Sequence, residues 1–108
     1  MTATARRILP HRRHCETLEL SHAGQTFSVS IGYYDRDLTG PGAPGEVFIT
    51  GPKAGSDVEA VARDGAVILS IAMQFGVPLD VISGAITRGL DGVPMTIIGA
   101  VVDQLAKG

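Results

Sequence analysis

Residues 56–76, SDVEAVARDGAVILSIAMQFG, constrain the fold more than any other stretch of this 108-residue chain, because they carry both end signals of one long helix. Ser56 is a good N-cap. Glu59, three residues on, completes a capping box in which each side chain satisfies a backbone N–H of the other residue. At the far end Gly76 supplies a left-handed residue, Val77 the apolar contact that accompanies it, and Pro78 forbids continuation. In the first half, Val58, Val61, Ala62 and Gly65 share a face, with Asp57, Glu59, Arg63 and Asp64 outside it. The run AVILSIAM over residues 66–73 is apolar nearly all round. Such a run predicts burial on every side, with Ile68, Leu69, Ile71, Ala72 and Met73 forming a girdle covered partly by a second subunit.

Upstream of this helix the pattern changes period. Residues 16–20 (ETLEL) alternate polar and apolar as a short strand, and residues 21–24 (SHAG) turn the chain. Residues 25–34 form the clearest strand, with Phe27, Val29, Ile31 and Tyr33 on one face and Ser28, Ser30 and Gly32 on the other. A loop rich in Pro and Gly follows over residues 35–44, and a third strand over residues 47–50. Short links between successive strands predict an antiparallel meander. Downstream, Pro78 opens a second helix over residues 78–88, with Leu79, Ile82 and Ile86 inward. Pro94 opens a third, to about residue 106, with Ile98, Val101, Val102 and Leu105 at helical spacing. The expected fold is therefore α+β in the order β-β-β-α-α-α, a three-stranded antiparallel meander with the long helix packed on the sheet.

Two segments are expected: a basic arm over residues 1–14 and a single domain over residues 15–108. The arm holds Arg6, Arg7, Arg12 and Arg13, four of the nine Lys and Arg residues, and reads as a solvated terminus. A net charge of −2 gives no general attraction to nucleic acid. With no apolar run of spanning length and no secretory segment, the expected location is cytoplasmic. Open sheet edges and the girdle point to a homodimer.

Few residues carry a chemical signal. Lys53, Gly55 and Ser56 precede a helix N-terminus, where free N–H groups and the helix dipole favour an anion. Arg88 joins them if the first two helices form a hairpin; the alternative is that Ser56 merely caps and Gly55 merely turns. Spacing excludes a triphosphate-binding loop. His11, His14, His22 and the single Cys15 lie close in sequence but match no standard metal-site spacing, so no metal is expected. One thiol also excludes an internal disulfide or a redox pair. No catalytic residue is assigned. For a protein partner the candidates are Arg12, Arg13, Ile68, Ile71 and Gln74.

Leu9-Pro-His-Arg-Arg13, the GEVFI of residues 45–49, the KAGS of residues 53–56, the SIAMQFGVPL of residues 70–79, and Thr87-Arg88 together resemble a carboxyl-terminal region of adenosylcobalamin-dependent (class II) ribonucleotide reductases, the TSCPD domain. The resemblance runs from about residue 8 to residue 106. It implies the fold and a link to nucleotide reduction. In that family the radical chemistry belongs to a large barrel with a thiyl cysteine and a reducing cysteine pair, which one cysteine does not supply. No cofactor is therefore expected in this chain, adenosylcobalamin entering by family association alone. Two functions remain: an accessory or regulatory domain that binds a protein such as a reductase, or nucleotide phosphate; or a small enzyme or ligand-binding protein with an anion site at residues 53–56 plus Arg63 and Arg88.

Overall fold

A computed structural model describes residues 5–35 and 42–107. Its order is the expected one: β1 (Cys15–His22), β2 (Gln25–Tyr33), β3 (Pro44–Thr50), α1 (Asp57–Gln74), α2 (Leu79–Ala85) and α3 (Ile97–Lys107). The three strands form an antiparallel sheet in the order β1-β2-β3, with Leu18 opposite Val29 and Val29 opposite Ile49. The turn between β1 and β2 has only two residues, Ala23 and Gly24, both with positive φ (50° and 78°). Two left-handed residues give the turn the twist that neighbouring strands need, so β1 runs on to His22 rather than stopping at Leu20. Of the expected loop over residues 35–44, residues 36–41 lie outside the described residues.

Alternation along β2 decides which face is packed. Phe27, Val29 and Ile31 are buried with Val47 and Ile49 of β3 against Ala62, Ala66, Leu69 and Met73 of α1 and Ile97, Val101, Val102 and Leu105 of α3. Both long helices thus cover one sheet face, giving two layers. Gly65 lets them approach: a Cβ there would fall 2.4 Å from Ile98 Cγ1. Leu79, Ile82 and Ile86 pack against the core edge as expected. A buried polar link fastens α1 to β3. The Ser70 hydroxyl accepts from the Val47 N–H (2.8 Å) and donates to the carbonyls of Ala66 (2.8 Å) and Val47 (3.2 Å). It thereby occupies backbone groups on the strand edge that β2 does not pair.

The helix ends follow local chemistry. Gly76 has φ +84°, its N–H bonds the Met73 carbonyl, and the Val77 N–H bonds that of Ala72, a Schellman ending. α2 is shorter than expected. Ile86 is already extended, and Arg88 forms an isolated antiparallel bridge with Pro94. That bridge also removes Pro94 from α3, which begins three residues later, where Thr96 Oγ1 accepts from the Gly99 N–H.

Within one chain the girdle is covered only in part. Leu69 and Met73 are buried, but Ile68 is 69% exposed, Val67 55% and Ile71 38%. Helix α1 lies against the sheet on one side only, and α3 occupies the sheet beside it rather than its back.

Candidate functional site

The turn before α1 is built by Gly55, whose φ of +77° suits a residue without Cβ. Ser56 caps as expected, its Oγ accepting from the Glu59 N–H at 3.2 Å and donating to the Lys53 carbonyl at 2.8 Å. Glu59 departs from the capping box. Its buried carboxylate accepts from the N–H groups of Gly55 (3.0 Å) and Gly51 (3.2 Å) instead of Ser56. A carboxylate thus stands among the amides at the helix N-terminus, where the dipole favours negative charge. Lys53 and Arg63 are exposed.

Arg88 is engaged elsewhere. Its guanidinium makes a bidentate pair with Asp103 of α3, both contacts at 2.8 Å, and donates to the Ser83 carbonyl (2.8 Å) and the Gly92 carbonyl (3.1 Å). The Ser83 hydroxyl donates to Asp103 at 2.9 Å. The Arg88 hydrogen bonds, then that of Ser83, hold the Asp103 carboxyl down to about 2. The same pair raises the Arg88 pKa. This cluster closes the loop from α2 onto α3. Of the residues expected at an anion site, Gly55 and Ser56 share one turn, while Arg88 belongs to the α2–α3 clamp.

Nor is the arm merely solvated. The Arg7 N–H donates to the Gln74 carbonyl at 2.8 Å, and Arg6 Nε donates to Gln74 Oε1. Gln74 Nε2 in turn donates to the Gly45 carbonyl at 2.9 Å. The Tyr34 hydroxyl donates to the Arg7 carbonyl at 2.9 Å, while the Arg7 guanidinium stands 3.8 Å over the Tyr34 ring. Further along, Arg13 pairs with the buried Glu46 and donates to the Pro10 carbonyl. Gly32 makes room for this pair, since a Cβ there would meet the Glu46 carboxylate at 2.3 Å. Gln74 and Arg13, expected as partner contacts, therefore tie the arm to the fold, while Arg12 is exposed.

Near the start of β1, Cys15 is exposed and the His14 ring lies 5.5 Å from that of Tyr33. Burial, then the hydrogen bond to Glu16, pushes the Tyr33 hydroxyl up to about 12. Among the described residues no three His, Cys, Asp or Glu side chains converge to hold a metal, and no helix is long and apolar enough to cross a membrane.

What remains open is the back of α1. Val61, Val67 and Ile68 are each more than half exposed, and Ile71 and Phe75 are 38% and 42% exposed. Asp57 and Asp64 flank them toward the N-terminus. Sequence reasoning missed Asp103 and Ser70 as organising polar groups, and gave Glu59 the Ser56 N–H as partner where the structure gives it those of Gly51 and Gly55. Glu59 carried a legible signal, its place three residues after a cap. Asp103 carried none, because its partner is 15 residues away across a loop.

Comparison with known proteins bears on the whole chain. The TSCPD domain model matches residues 3–108. A vitamin B12-dependent ribonucleotide reductase from Rhodopirellula baltica is 42% identical over 77 residues, covering 71% of this chain and 7% of that protein. This chain thus spans a small fraction of the relative's length. No solved structure matches.

Proposed function

The chain belongs to the TSCPD domain family, and on that premise we propose that it is an accessory domain of B12-dependent ribonucleotide reduction that acts by docking a protein rather than by reducing ribonucleotides itself. The observation that carries this reading is the open apolar face of α1. A face of that kind rimmed by charge is typical of a protein contact. The charged groups of the competing anion-site reading favour it less. Glu59 already holds the amides of Gly51 and Gly55, and Asp103 holds Arg88. Cys15 alone does not provide the three thiols of the family's radical chemistry.

The test mixes the purified chain with a B12-dependent ribonucleotide reductase and follows association by light scattering and turnover by product formation. The expected result is binding that Ile68→Lys weakens, with no turnover by the chain alone in adenosylcobalamin and a dithiol. Turnover by the isolated chain that survives Cys15→Ser would overturn the proposal, as would binding indifferent to the α1 face.

A further inference from the structure

The two outer edges of the sheet are finished differently. In an antiparallel ladder, alternate residues of an edge strand turn their N–H and C=O groups away from the neighbouring strand. On β3 side chains of α1 take up these groups. Gln74 Nε2 donates to the Gly45 carbonyl, the Ser70 hydroxyl bonds both the N–H and the carbonyl of Val47, and Glu59 accepts from the Gly51 N–H. On β1 the residues bonded to β2 are the even-numbered ones, a pattern that continues past the strand in the bond from the Tyr33 N–H to the His14 carbonyl. The N–H and C=O groups of Cys15, Thr17, Glu19 and Ser21 therefore face outward, and among the described residues they have no partner.

Two further features say what such an edge accepts. A groove of about 610 Å³ lies between β1 and the end of α3 on the packed face, its walls including Leu18, Ile31, Tyr33, Gln104 and Leu105. The strand itself is acidic: Glu16 and Glu19 are exposed, and residues 15–22 include no Lys, Arg or Pro. A second copy paired edge to edge would gather the glutamates of both strands and bring no cation from either, so the charge that discourages self-pairing favours a basic partner.

We propose that the β1 edge docks an extended, basic segment of a partner protein, which joins the sheet as a fourth, antiparallel strand. Its backbone bonds the outward groups of Thr17 and Glu19, and its alternate side chains enter the groove beside Leu18. Glu19 stands on the open face, opposite Ser28, and Glu16 on the packed face, opposite Ile31. The segment therefore carries two basic residues three positions apart, with an apolar residue directly after the first, opposite Leu18. The α1 face named above lies over β3, at the other side of the sheet, so the two surfaces do not compete.

The probe is the acetylated, amidated peptide Ser-Val-Lys-Ile-Thr-Lys-Thr, titrated at low salt into the full chain and followed by amide resonances. The N–H signals of Thr17, Glu19 and Ser21 should shift and their hydrogen exchange should slow, because they gain partners. Those of Leu18 and Leu20, already bonded to β2, should change less. Methylating the backbone nitrogens of the first Lys and of the Thr after Ile keeps the charge and should weaken binding about tenfold or more. Replacing both Lys by Glu should weaken it roughly threefold or more, and added salt should weaken the basic peptide. Thr17→Pro removes one outward N–H and none of the bonds to β2, and should weaken binding about tenfold. Should that variant not fold, Glu19→Lys, with circular dichroism as the folding control, should weaken the basic peptide and strengthen the acidic one. Unmoved β1 signals at millimolar peptide would overturn the proposal, as would equal binding of the methylated peptide or a preference for the acidic one. Shifts of the same amides with protein concentration alone would assign the edge to a second copy and overturn the basic partner.

Discussion

Ser70→Ala removes one hydroxyl from the middle of α1, and its cost separates two views of how the helix holds the sheet. If the attachment is purely apolar, the substitution should be nearly neutral: alanine is the better helix former by about 0.5 kcal/mol. The structure argues otherwise. Val47 is 1% exposed, its N–H bonds Ser70 Oγ at 2.8 Å, and the site lies under α1 at the edge of the sheet. Without the hydroxyl that N–H is buried and unpaired, which costs about 2 kcal/mol. The better helix residue offsets a fraction, leaving about 1.5 kcal/mol. For a domain of this size that lowers Tm by about 6–10 °C. Chemical denaturation and calorimetry should agree on the loss, and the Val47 amide should exchange faster than its neighbours in β3. Ser28→Ala, on the exposed face of β2, should change stability by less than about 0.5 kcal/mol. If Ser70→Ala proves as mild as Ser28→Ala, the hydroxyl link is not what covers the edge of β3.

Two further outcomes follow from the charged groups. Glu59→Ala frees the amides of Gly51 and Gly55, so millimolar phosphate at low salt should shift their resonances in the variant and leave them unmoved in wild type; equal shifts in both would mean that an anion displaces Glu59. Asp103 titrates near 3.8 when unfolded and near 2 when folded, so its contribution is complete above about pH 4 and is lost as pH falls through 2. Acid titration should therefore show less loss of stability between pH 4 and 2 in Asp103→Asn than in wild type, and identical slopes would remove Asp103 as the cause.

Much of this protein was determined locally and is legible in the sequence. Ser56 and Gly76 set the ends of α1 because caps depend on residues within one turn. The alternation from Phe27 to Tyr33 assigned the packed face of β2 because strand side chains change sides at every residue. Element order and the antiparallel meander followed from those signals and from short connections. The family resemblance was carried by the same residues, and the TSCPD match over residues 3–108 agrees with it. Other features were decided only in three dimensions. The apolar run of α1 predicted cover on every side, yet composition does not say which neighbour arrives; α3 spent its own apolar face on the sheet, and Ile68 and Ile71 stayed open. The arm carried no periodicity, so its docking had to await the meeting of Arg7 with Gln74 and Tyr34, and of Arg13 with Glu46. Arg88 reads equally as an anion ligand or an ion-pair partner until α3 brings Asp103 to it. Charges choose partners by distance in space, and that distance is fixed by the packing of α2 against α3 rather than by the spacing of residues along the chain.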